Sequence, residues 1–277
     1  MKVKLTITQS DCRCGYFRKG QEFLVENLCP PLCHELWSVI YPYVFALQNG
    51  GLLDHGSGKA AAFDASCPDG GRVRIHGEIL QPDFGQQVIE KALLYVNHEW
   101  YARKENVLHG KDEVGRYVDT PDVSWRGEEL ACGWWKVNQM NRGVPYCWGK
   151  ASTLEEFDRG IAQGAYAGNV PEDTGRKGSH QCVGVDCSGL VTVCWELPEK
   201  IRARDIPEVA EQIDFKELQV GDALATAFHV MLFQAFLDED KQQLRIIDAT
   251  RSTGKVSQRE FYLEELARQG FAAYRKR

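Results

Sequence analysis

Three absences set the first limits. No apolar run approaches the roughly 20 residues that a membrane-crossing helix needs. Basic charge is not in excess either: 33 Lys and Arg face 39 Asp and Glu, a formal net charge of -6. Such a balance gathers no phosphates, so nucleic acid and anionic membrane are poor partners for this chain. Internal repeats and low-complexity tracts are missing. The opening MKVKLTITQSDCRCGYF alternates polar and apolar residues instead of presenting the apolar core of a secretory signal, which predicts a cytoplasmic protein.

What is present suits a globular protein with a small or peptidic substrate. The 277 residues, 43% hydrophobic and 26% charged, can bury one large core or two modest ones. In a reducing compartment the ten cysteines read as buried thiols, a metal site or a nucleophile rather than as disulfides.

The hydrophobic pattern divides the chain. Residues 1–80 read as an α+β module: a strand with Val3, Leu5 and Ile7, a strand at Phe23 to Glu26, a helix from Cys33 to Leu47, the break Asn49-Gly50-Gly51, and a strand from Arg72 to Leu80. Its cysteines Cys12, Cys14, Cys29, Cys33 and Cys67, with His34, lack a standard zinc spacing and are read mostly as packing residues. Gln81-Pro82-Asp83-Phe84-Gly85 reads as a linker, and a helix from Gln87 to Arg103 with Val88, Ala92 and Tyr95 on one side opens the second domain. Residues 104–143 read as an irregular excursion carrying Trp125, Trp134 and Trp135.

The informative stretch is GVDCSGLVTVCWEL, residues 184–197. Asp186 is placed to cap a helix, with Leu190, Val193, Cys194 and Leu197 at helical spacing before Pro198. Cys187 then sits in the first turn, where unpaired N–H groups and the helix dipole favour an anion such as a thiolate. The strand-like segment Ala227 to Phe236 brings His229, a candidate acid and base, and RIIDAT brings Asp248, which would orient the imidazole. Asp238 and Glu239 in the same hairpin stay open as alternatives to Asp248.

The order VPYCWGK, GVDCSGLV, LQVGDALATAFHVMLF and RIIDAT resembles the NlpC/P60 family of papain-like cysteine peptidases over residues 86–277. The resemblance implies an α+β papain-like catalytic domain with Cys187 as nucleophile, His229 as base and Asp248 as the third polar residue. It also implies that Tyr146 and Trp148 line the cleft, that Tyr146 and Asp186 hold a substrate's free amine, and that Ser188 lines the same pocket. The implied activity is hydrolysis of an amide, such as a γ-D-glutamyl-diamino acid bond in a small muropeptide, without cofactor or metal.

Lys150, Phe228 and Met231 depart from the family pattern around the cleft. An amidase or acyltransferase on the same scaffold, or a peptide-binding protein without catalysis, are the competing expectations. The Gly-rich segment 151–181 (Gly160, Gly164, Gly168, Gly175, Gly178) is expected to serve as a lid or cleft wall. The amino-terminal module is similar to a family of small uncharacterised prokaryotic proteins, which implies no activity. Oligomeric state is not legible.

Overall fold

The structure, a computed structural model, describes residues 1–80, 83–125, 133–171 and 179–277. It is α+β, and the chain divides into two compact units, Met1–Pro82 and Asp83–Arg277. No described helix is long and apolar enough to cross a membrane.

The first unit runs β1 (Val3–Ser10), β2 (Glu22–Val25), α1 (His34–Gln48), β3 (Leu53–His55), β4 (Gly58–Ala60), β5 (Ala62–Ser66) and β6 (Val73–Ile79). Four strands form an antiparallel sheet in the order β2-β1-β6-β5, while β3 and β4 pair as a separate hairpin. Strand alternation turns Val3, Leu5 and Ile7 to one face. There they meet Leu36, Ile40, Val44 and Leu47, spaced along α1 so that all fall on one side of the helix. Cys67 is buried in this unit, Cys12 and Cys33 pack against the core, and Cys14 and Cys29 are exposed.

The second unit begins with α2 (Phe84–Asn97), so of the expected linker Asp83 caps this helix, Phe84 and Gly85 lie inside it, and Gln81 and Pro82 fall outside the described residues. The helix stops at Asn97, short of the expected Arg103. Past extended His98, β7 (Glu99–Tyr101) alternates exposed, buried, exposed, and burying Trp100 in the core outweighs another helical turn. The excursion that follows contains the hairpin β8 (His109–Lys111) and β9 (Tyr117–Asp119), and β10 (Met140–Arg142) returns to pair with β7. Trp135 within it is fully buried.

Next come α3 (Leu154–Ala162), β11 (Tyr166–Ala167), β12 (Cys182–Val183) and α4 (Cys187–Cys194). Then follow α5 (Ile206–Val209), β13 (Ala210–Ile213), β14 (Ala223–Ala225), β15 (Val230–Phe236), β16 (Gln243–Thr250), β17 (Lys255–Tyr262), α6 (Leu263–Arg268) and β18 (Ala272–Lys276). Six of these strands make an antiparallel sheet in the order β13-β18-β14-β15-β16-β17. One side carries Val230, Leu232, Ile247 and Ala249 against α2 and α4; the other packs Met231, Phe233 and Ile246 with Leu266 of α6.

The segment from 151, expected to be a lid or cleft wall, packs into the core in its described part. Thr153 and Glu156 form a reciprocal capping box at α3, and Phe157 and Ile161 enter the same core as α2 and α4. Anchored by two buried side chains, α3 is held in place rather than free to move as a lid. Gly175 and Gly178 lie outside the described residues.

Candidate active site

The helix that carries Cys187 is fixed at its first turn by Asp186. One carboxylate oxygen, Oδ1, accepts from the Gly189 N–H at 2.6 Å and from the Ser188 hydroxyl at 3.1 Å. The other, Oδ2, accepts from the Gly149 N–H at 2.8 Å and from Lys200 Nζ at 3.0 Å. Lys200 Nζ also donates to Ser188 Oγ at 3.1 Å. Asp186 is 7% exposed and its four acceptor positions are filled.

The same contacts explain why two distant motifs share glycines. The Tyr146 to Lys150 loop is clasped to the turn before α4: Cys147 N–H donates to Val185 O at 2.9 Å and Asp186 N–H to Lys150 O at 3.0 Å. At Gly189 a Cβ would lie 1.9 Å from Lys150 O, so no side chain fits. Gly149 turns the loop with φ +75° and presents its N–H to Asp186. Glycine at 189 lets the loop backbone touch the helix, and glycine at 149 turns it toward the cap.

Cys187 is therefore held at the start of a short buried helix while its own side chain keeps partial exposure. Cys187 lies near enough to the imidazole of His229 to favour the ring's protonated form. His229 stands just before β15, where Thr226 Oγ1 accepts from the Phe228 and His229 N–H groups at 3.2 and 3.0 Å and fixes the turn. The imidazole Nε2 meets Asp248 Oδ2 at 2.7 Å, which leaves Nδ1 as the ring nitrogen not engaged by the carboxylate. The ring edge of Phe271 packs against the imidazole at a centroid distance of 6.3 Å.

Asp248, on β16, is fully buried. Arg259 on β17 donates from Nε to Asp248 Oδ1 at 3.0 Å, and its Nη2 reaches Oδ2 as well. Burial raises the Asp248 carboxyl, but the hydrogen bonds from His229 and Arg259 outweigh it and hold the group below the usual range. Burial works against a charged His229, yet the hydrogen bond to Asp248 and the nearby Cys187 prevail and raise the ring to about 9.

The remaining expected residues are buried in the core or packed against it. Tyr146 is buried among core residues that include Val185, and Trp148 is partly buried beside the same core. Ser188 is buried, with its hydroxyl engaged by Asp186 and Lys200. Phe228, by contrast, is 93% exposed next to His229. A cavity of about 760 Å³ in this unit, lined by Leu218, Phe233, Arg275 and neighbours, includes neither Cys187 nor His229.

Three contributors escaped the sequence reading. Arg259 was discoverable, because the hairpin opposes Asp248 to Ser257 and so places Arg259 diagonally across from Asp248. Lys200 and Phe271 carry no local signal; each reaches the site through tertiary folding.

No protein-family model, curated protein sequence or solved structure matches the chain.

Proposed function

We propose that the second unit is a papain-like cysteine hydrolase of the NlpC/P60 type, acting on an amide bond of a small peptide. The observation that carries this is the arrangement of Cys187, His229 and Asp248: a thiol at a helix start, acting electrostatically on an imidazole whose Nε2 is held by a buried carboxylate.

In this reading His229 takes the thiol proton on Nδ1 and the sulfur attacks the amide carbonyl, forming a C–S bond while the carbonyl becomes an oxyanion. The Cys187 N–H, in the first turn and without a helical acceptor, is the donor available to stabilise that oxyanion. The imidazolium then gives its proton to the departing amine as the C–N bond breaks. Water, deprotonated by His229, cleaves the resulting thioester and frees the carboxylic acid. Phe228 offers an apolar surface for substrate beside the imidazole.

The substrate class is a small cell-wall-derived peptide, with a γ-D-glutamyl-diamino acid bond as the first choice and a cytoplasmic setting. The test is hydrolysis of such peptides by wild type and Cys187→Ala, with products identified by mass spectrometry. Loss of cleavage in the variant supports the reading; cleavage at the wild-type rate overturns it.

A second reading is favoured by one observation. Lys200 already places an ammonium on Asp186, the group expected to receive a substrate's free amine. An amidase or acyltransferase whose substrate has no free amine at that point fits this filled carboxylate, and the mass-spectrometric products separate the two readings.

A further inference from the structure

The first unit holds a cluster that the hydrolase reading does not use. His55 at the end of β3, Asp64 on β5 and His76 on β6 each direct one ligating atom to a common point, all within 4.8 Å of one another. Strand register produces half of it, since Asp64 and His76 are direct antiparallel partners. The β3–β4 hairpin contributes His55. Asp64 uses both oxygens: Oδ2 meets His55 Nε2 at 2.9 Å and Oδ1 meets His76 Nδ1 at 2.9 Å. The two rings are tilted by 60° with centroids 5.5 Å apart, facing a shared point rather than stacking.

We infer that His55, Asp64 and His76 form a binding site for a borderline transition-metal dication of the Zn²⁺ type. Two imidazole nitrogens and a carboxylate are a hard-to-borderline donor set, suited to Zn²⁺ more than to Ca²⁺ or Mg²⁺. In a tetrahedral site with metal–ligand distances of about 2.1 Å, donors stand roughly 3.4 Å apart. The 2.9 Å contacts need only a small widening as the ion replaces the protons between them. A carboxylate also stands behind one ligand: Glu78 Oε2 is 3.9 Å from His76 Nε2, the nitrogen that faces away from Asp64, and is itself fixed by Lys4 at 3.0 Å. At that distance Glu78 adds negative charge beside the site without hydrogen-bonding the ring. Asp64 is exposed and the two histidines are partly exposed, which gives the ion an entry path.

The position suggests the role. The β3–β4 hairpin shares no backbone ladder with the four-stranded sheet, and His55 to Asp64 is a side-chain link between them. A metal there clasps the hairpin to the sheet in a unit whose core is small.

The test titrates Zn²⁺ and Co²⁺ into the full chain, with cysteines alkylated beforehand so that thiolates cannot compete. The expected result is one equivalent bound, with visible Co²⁺ d–d bands and no sulfur-to-metal charge transfer. Losing an outer-sphere partner costs about 10–100-fold in affinity, so His55→Ala and His76→Ala are expected to weaken binding at least about 100-fold. Asp64→Asn, which keeps the carboxylate's shape, guards against misfolding and is expected to weaken binding with an unchanged circular dichroism spectrum. Binding that survives all three variants, or that vanishes on alkylation, or the absence of saturable binding in wild type, would overturn the assignment.

Discussion

The imidazole of His229 and the guanidinium of Arg259 share one carboxylate, that of Asp248. His229 Nε2 lies 2.7 Å from Oδ2 and Arg259 Nε 3.0 Å from Oδ1. The anion that steadies the imidazole is thus partly neutralised by a second cation. This tempers its pull on the His229 proton and offsets the cost of burying a carboxylate completely.

Replacing Arg259 tests that balance. In Arg259→Gln the carboxylate acts on His229 alone, so the imidazole becomes more basic and the alkaline limb of kcat/KM moves to higher pH. Stability falls by about 1–3 kcal/mol because a buried charge loses hydrogen bonds. A pH–rate profile and a urea titration check both; an unmoved limb would show that Arg259 only packs.

The pH dependence of wild type follows from His229. With the ring held near 9, kcat/KM falls as pH rises through about 9, where the imidazole can no longer protonate the leaving amine. Stability obeys the same sign. A raised folded pKa gives a contribution fully present below the unfolded value of about 6.5 and lost as pH climbs through about 9. Asp248→Asn removes the anion, so the alkaline limb shifts down, kcat/KM drops at least about tenfold, and melting temperature varies less over that window.

Gly189→Ala places a methyl 1.9 Å from Lys150 O, a backbone atom that cannot swing away. The expected loss is about 3 kcal/mol or more, the upper range for overpacking. Chemical denaturation measures it, and iodoacetamide labelling of Cys187 reports whether the loop and helix still hold together.

Lys200→Met frees an acceptor position on Asp186 Oδ2. If the carboxylate receives a substrate amine, KM for peptides with a free amine falls several-fold in the variant while KM for their N-acetylated forms is unchanged. Equal effects on both substrates would show that Lys200 serves only the helix cap, whose loss is worth about 1 kcal/mol.

Much of the site was legible because its logic is local. A capping aspartate, a thiol one residue on and a helical apolar pattern lie within 14 consecutive residues, and the Asp186 to Gly189 bond closes that turn. Strand alternation at Val3, Leu5 and Ile7 likewise announced its buried face. Where local pattern competed with burial it misled: beyond Asn97 the demand to bury Trp100 ended the helix.

The sequence by itself determined which residues could carry chemistry and which faces would be apolar, because capping, periodicity and glycine demand act over a few neighbouring residues. Only the tertiary structure decided that Asp248 meets His229 near Cys187, that Arg259 and Lys200 occupy their carboxylates, and that His55 finds Asp64 and His76. Those pairings depend on strand register and helix placement, and these are set by the packing of the whole core.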